Sequence, residues 1–315
     1  MFENRQKFFG VLLAAFSIFI WGVTFVCTKY LLRYFSSLEI LFYRFVAAYA
    51  GLWILHPKFE KIEFKDNILF ALAGLSGVVL YQLFENIAIH FTNASNVSVI
   101  VSICPLFTAV ASQIFLKEKH ISFWFIIGFI ISIIGVTLVC LNGDTALKFN
   151  PKGDLLALSS GICWGFYSVI VSILNRRKYN LVCMTRRIFF YAVIMMIPLS
   201  LIGMNFTHAD GDFLKSLSFN INLSFNAARF SNIMNVINML FLGVVASGIC
   251  FTMWNKACNI LGTVNVNCGI YLIPVVTIVF AFFVLGEKIT LLGFAGAVIT
   301  IMGLFISEKK SSKLN

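Results

Sequence analysis

Charge, histidine and nucleotide-binding signatures are what this sequence has least of. Only 12% of its 315 residues are charged and 60% are hydrophobic, whereas soluble domains run at about 25% charged and about 45 to 50% apolar. With a mean hydropathy of +0.92, a water-soluble globule is excluded. Histidine occurs at His56, His90, His120 and His208, each at the end of an apolar block or between blocks. An intramembrane serine protease, suggested by the G-x-S-G tetrapeptide at Gly74–Gly77, therefore lacks the embedded base its nucleophile needs. No H-E-x-x-H and no P-loop occur, which removes a zinc hydrolase of that type and an ATP-driven pump. The cysteines form no C-x-x-C pair and have no histidine at ligand spacing, so they read as small buried residues, neither disulfides nor metal ligands. The expectation is a protein without enzymatic activity, metal or cofactor.

The sequence does contain long apolar blocks, many of them close to the roughly 20 residues that a helix needs to cross a bilayer. Blocking by hydropathy predicts ten spans: 10–31, 39–56, 67–89, 94–116, 121–141, 153–174, 183–204, 233–253, 259–285 and 289–307. The first follows Arg5 and Lys7 but is too long for a cleaved signal peptide, so it is read as a retained span. A net charge of +11 would suggest nucleic acid in a soluble protein, but here the basic residues sit between spans. With the amino terminus in the cytoplasm, 14 of the 24 lysines and arginines fall inside, six outside and four (Lys29, Arg44, Arg186 and Arg187) within spans. The positive-inside rule then favours both termini in the cytoplasm.

A duplication organises the chain. Gly10–Gly22 reads GVLLAAFSIFIWG and Gly153–Gly165 reads GDLLALSSGICWG, agreeing without a gap at Gly, Leu, Leu, Ala, Ser, Trp and Gly. Pro105 precedes Glu118-Lys119 by the distance at which Pro274 precedes Glu287-Lys288, Gly128 and Gly135 answer Gly296 and Gly303, and Asn86 answers Asn255. Five spans per copy is odd, so the second copy must lie upside down relative to the first, an inverted repeat. The expected fold class is an all-α integral membrane protein of ten transmembrane helices in two inverted five-helix repeats. Two nearly equivalent halves can exchange conformations at little cost in energy, which suits alternating access of a small-molecule substrate across the bilayer.

These paired motifs, with Trp-Gly in spans 1 and 6 and Pro, Lys/Gly-Glu and a glycine-rich last helix closing each half, resemble the EamA-type branch of the drug/metabolite transporter superfamily over nearly the whole chain. The first half departs from the pattern with Lys117-Glu118 where the second has Gly286-Glu287. The resemblance implies repeats over 1–146 and 147–315, a central cavity between the halves, cytoplasmic termini in what would be a bacterial cytoplasmic membrane, and export of amino acids or other metabolites as the commonest role.

Trp21 and Trp164 sit near the middle of their spans although tryptophan favours the headgroup region. Each shares a helical face with small polar residues or Tyr167, which suits a cavity wall; packing over the adjacent glycine is the alternative. Span 3 carries Tyr81, Gln82 and Glu85. Glu85 is the acidic candidate for a substrate ammonium or a coupling proton, unless it is interfacial or paired with Arg44. Asn96 in span 4 and Asn267 and Tyr271 in span 9 could hydrogen-bond a substrate or simply tie helices together. Arg44 and Arg187 are repeat equivalents, expected to pair structurally with Glu287 and Glu118 respectively. The segment 205–232, with its Phe-rich alternation, is read as lying on the outer membrane surface or closing as a lid. The other transport readings are a drug exporter and an exchanger of phosphate-bearing metabolites, the latter needing basic residues at cavity depth; with Lys29, Lys256 and Lys288 near edges, a zwitterionic or aromatic metabolite is expected.

Overall fold

Lipid offers a backbone no hydrogen-bond partners, so apolar segments of this length fold as helices or as a closed barrel. The computed structural model describes residues 2–91, 97, 100–140, 150–201, 227–285 and 290–308, and every regular element among them is helical. They form ten helices: α1 (Phe2–Leu31), α2 (Ser37–Leu55), α3 (66–91), α4 (Cys104–Phe115), α5 (Phe123–Cys140), α6 (Pro151–Asn175), α7 (Leu181–Leu201), α8 (233–261), α9 (263–285) and α10 (Leu291–Glu308). Six are long and apolar enough to cross a membrane and four are shorter apolar helices. The segment 205–232 lies outside the described residues up to 226; its end forms a 3₁₀ turn, Ala227–Phe230.

Local chemistry starts several helices where they are. Ser36 and Glu39 form a reciprocal capping box at α2, which satisfies two otherwise orphaned N–H groups. Asn150 caps α6 with Pro151 in its first turn, a position where a missing N–H costs nothing. Gly262, at φ +87°, makes the break between α8 and α9, a backbone region open to glycine and costly for other residues.

The helices are paired by a twofold relation. α5 and α10 cross as symmetry mates: a Cβ on Gly128 would run into the backbone of Gly303 and Ser307, and one on Gly135 into Gly296 and Thr300. Low residues of α5 thus meet high residues of α10, so the mates run antiparallel, as inversion requires. The hydroxyl of Ser132 bonds the Thr300 carbonyl at 3.4 Å in the same seam, a small-residue interface that lets backbones approach closely in lipid. α2 and α7 likewise cross antiparallel, with Phe45 on Phe189 (5.0 Å), Tyr49 on Phe190 (6.1 Å) and the Arg186 guanidinium 3.6 Å over the Trp53 ring. Around these pairs, α1 packs on α8 and α9 while α6 packs on α3 and α4. The two halves are therefore interleaved, and the middle of the bundle is walled by both.

One expected ion pair is corrected, and the other reaches beyond the described residues. Glu118 is held by Arg176 at 2.5 Å and His120 at 2.9 Å, while Arg187 donates to Asn67 Oδ1 at 3.0 and 3.3 Å beside Tyr191. Arg187 points along α7 to the start of α3, away from the loop after α4, so Arg176 at the end of α6 reaches Glu118 instead. Glu287, the expected partner of Arg44, lies outside the described residues; the Arg44 guanidinium bonds Ser247 and Gln82.

Candidate functional site

The Trp-Gly motif divides its two jobs between neighbouring residues. Gly22 admits Val276 of α9 against the α1 backbone, and Gly165 admits Phe107 of α4 against α6. The glycines therefore make the crossings, and the tryptophans beside them face the centre. There the rings of Trp21 and Trp164 meet edge to face at 5.8 Å. Trp254 and Phe251 of α8 pack on both (4.8 to 6.3 Å), and Tyr81 and Tyr167 flank Trp164 at 5.0 and 5.1 Å.

Both indoles find hydrogen-bond partners, as buried ones need to. Trp21 Nε1 donates to the Ala246 carbonyl at 2.9 Å, inside a π-helical stretch of α8 (Phe241–Ile249) whose repeat mate in α3 is the π-helical Gly74–Leu80. Such wide turns disturb the regular carbonyl ladder and recur at functional sites. Trp164 Nε1 donates instead to Asn267 Oδ1 of α9 at 2.6 Å. The two halves thus use different partners for equivalent donors.

On one side of the tryptophan pair the side chains leave a cavity of about 780 Å³ of unfilled space, its open mouth included. Trp21, Thr24 and Thr28 of α1, Arg44 of α2, and Tyr81, Gln82, Glu85 and Asn86 of α3 line it, with Trp164 and Phe251 at its base. These α1 and α3 residues lie in the halves of their helices remote from the amino-terminal face, so the cavity belongs to the far face. The broken parts of two helices complete the wall: Val101 and Ser102 before α4 with Cys104 at its start, and Ile270, Ile273 and Pro274 in α9. Pro105 stands in the first turn of α4 and Pro274 follows a 3₁₀ turn, Gly269–Leu272. Each proline removes the donor that a continuous helix would offer the carbonyl four residues back, and irregular backbone at this depth is tolerated where it lines a cavity.

The cavity is polar on one flank. Arg44 is 6% exposed; its Nε donates to Ser247 Oγ at 2.6 Å and its Nη1 to Gln82 Oε1 at 3.2 Å. Glu85 accepts from the Tyr81 hydroxyl one turn earlier and lies within electrostatic range of Arg44. Its Oε2 is buried with no hydrogen-bond partner among the described residues. A carboxylate oxygen in that position is satisfied by a proton or by an ammonium donor.

The repeat equivalents of Gln82 and Glu85 are Phe251, at the cavity base, and Trp254, both fully buried, and beyond them, on the other side of the tryptophans, the space is filled. Tyr167 packs over Gly77 and bonds Asn255 at 3.2 Å. Closer to the amino-terminal face, Asp66 accepts from the Tyr179 hydroxyl at 2.8 Å and faces Arg177 at 3.6 Å, and Glu60 takes the Asn180 N–H at 2.9 Å. Polar cross-links between the halves therefore close that face. Burial and the bond to Asp66 raise the Tyr179 hydroxyl above its usual pKa, so it stays a donor across the physiological range.

Of the candidate residues, Trp21, Tyr81, Gln82, Glu85 and Trp164 line the cavity. Tyr167, Asn267 and Tyr271 do not: all three are buried behind it, Asn267 holding Trp164 and Thr108 and Tyr271 packing on Phe129. Asn96 lies outside the described residues. The expectation that no basic residue stands at cavity depth is corrected by Arg44, whose two-turn offset from the start of α2 carries it past the membrane edge. Phe251 and Trp254 were missed, although the constant spacing that relates Asn86 to Asn255 also relates Gln82 and Glu85 to them. Trp164→Ala is expected to raise the transport KM about tenfold or more, with Trp164→Phe, which keeps the ring against Tyr81 and Trp254, near wild type. Equal KM values in both would leave Trp164 a packing residue only.

An inverted pair of five-helix halves around a half-open polar and aromatic cavity defines a membrane transporter, not an enzyme. The EamA-like transporter family matches residues 8–141 and 151–308, and the chain belongs to that family. An uncharacterized transporter of Archaeoglobus fulgidus is 27% identical over 305 residues, covering 95% of this chain and 97% of that one. A probable terminal-alkyne amino-acid exporter of Streptantibioticus cattleyicolor is 24% identical over 251 residues, 78% of this chain and 75% of that one. A crystal structure superposes with a TM-score of 0.72 at 14% identity, covering 97% of this chain and 98% of that chain, which shows the shared fold.

Proposed function

We propose that the protein is a secondary transporter that exports an amino acid or similar zwitterionic metabolite by alternating access. The observation that carries this reading is one guanidinium and one carboxylate, Arg44 and Glu85, lining the same cavity above an aromatic floor. An α-carboxylate matches Arg44, an α-ammonium matches the unpartnered Glu85 Oε2, and the side chain meets Trp21 and Trp164. A phosphate dianion would face the Glu85 carboxylate, which disfavours the phosphate-exchanger reading. The name of the exporter relative points the same way.

Alternating access is supported by the different partners of Trp21 and Trp164. In the opposite state the repeat equivalents would exchange these arrangements: the cross-links at Asp66 and Glu60 would open, and the far face would close. The two repeats would meet between α5 and α6, near residue 146. The charge bias of the loops supports cytoplasmic termini in a bacterial cytoplasmic membrane. An impermeant label reaching tagged termini from outside intact cells would reverse that orientation.

The test of substrate class is flux in proteoliposomes with an aromatic amino acid, its amine lacking the carboxylate, and its acid lacking the ammonium. A charge-assisted hydrogen bond is worth about 1.5–3 kcal/mol, so each analogue is expected to move roughly tenfold more slowly or worse. An amine carried as fast as the amino acid would favour the drug-exporter reading.

A further inference from the structure

A second hollow lies on the lipid-facing flank near the amino-terminal face, with about 1270 Å³ of unfilled space, its open side included. Its floor is the side of α8 turned away from Phe251 and Trp254, carrying Met253 and Lys256; Phe9 of α1 forms one wall, and the α6–α7 turn with Lys178 and Val182 forms the other. Phe9 is half exposed, as expected of a surface that meets acyl chains. Lys178 and Lys256 are exposed, and no acidic residue among the described residues lines the hollow. Arg176, also on its rim, is engaged by Glu118, so the two lysines supply the free positive charge. Asn175 directs its Nδ2 to the Asn255 carbonyl at 3.4 Å, and its Oδ1 is buried without a hydrogen-bond partner among the described residues.

We propose that this groove holds an anionic phospholipid, its phosphate between Lys178 and Lys256, a headgroup hydroxyl donating to Asn175, and its chains against Phe9, Met253 and Val182. Basic pockets between helices at a membrane interface favour acidic headgroups, and the apolar walls exclude a ligand that is only an anion. The hydroxyl requirement selects a glycerol headgroup over phosphatidic acid. The proposed orientation decides only which leaflet supplies the lipid, here the cytoplasmic one; binding in detergent does not depend on it, nor on the transported substrate.

The test is native mass spectrometry of the detergent-purified full chain titrated with phosphatidylglycerol or phosphatidylcholine of the same chains. Phosphatidylglycerol is expected to bind at least tenfold more tightly, and the double variant Lys178→Gln, Lys256→Gln to lose most of that preference while eluting at the same volume as the wild type. Exposed substitutions of this kind barely change stability, so the variant remains measurable. Equal binding of the two lipids, or a preference unchanged in the double variant, would overturn the assignment. Displacement of phosphatidylglycerol by millimolar inorganic phosphate would overturn it too, in favour of a free-anion site.

Discussion

Glu85→Gln is expected to abolish uptake driven by a pH gradient in proteoliposomes and, by removing the partner of the substrate ammonium, to slow gradient-free exchange roughly tenfold without abolishing it. The substitution is nearly isosteric, and the Gln carbonyl still accepts from Tyr81, so the helix and the cavity wall persist. What it removes is the only carboxylate that lines the cavity among the described residues, and with it the group that could bind a proton in one state and release it in the other. One pH unit is worth about 1.4 kcal/mol per proton, so a coupled wild-type protein accumulates substrate about tenfold for each unit and the variant does not. Accumulation that survives in the variant would take the proton off Glu85 and assign the coupling to another group; a wild-type protein that does not accumulate substrate under the same gradient would leave facilitated diffusion as the mechanism.

The second large effect concerns folding. Gly135→Val and Gly303→Val are each expected to cost about 3 kcal/mol and to deplete folded protein sharply. At Gly135 a Cβ meets the Thr300 N–H and the Gly296 carbonyl, and at Gly303 it meets the backbone of Ser132 and the Gly128 carbonyl. Those atoms belong to helix backbones, which cannot rotate aside as a side chain would. Gly248 is the control: its Cβ would find nothing nearer than the Ala48 carbonyl at 3.5 Å, and Gly248→Ala should be neutral. Melting followed by size-exclusion chromatography separates the cases, and a Gly135→Val protein that melts with the wild type would show that the α5–α10 seam does not hold the halves together.

The duplicated Trp-Gly, Pro and Gly-x₆-Gly spacings made the inverted architecture legible, because an odd number of spans per copy forces inversion whatever the side chains do. The same spacings singled out Trp21 and Trp164 but left a cavity wall and packing over the adjacent glycine both open, and only the fold brings the two rings together at the cavity. Pro105 and Pro274, read in the sequence only as marks of the repeat, stand in the structure at the broken helices of the cavity. Charge pairing was less legible: Glu118 and Arg176 are 58 residues apart, and only the folded loops bring them within reach.

Composition, hydropathy period and internal repetition therefore determined the number of crossings, the twofold relation and the helices that surround the centre, because each follows from local rules of a chain in lipid. Tertiary structure alone decided that Arg44 faces the cavity while its repeat equivalent Arg187 binds Asn67, and that one side of the tryptophans is open and the other filled. The two halves share a backbone plan but not their side chains, and where Glu85 in one half answers Trp254 in the other, packing chooses which face holds the hollow.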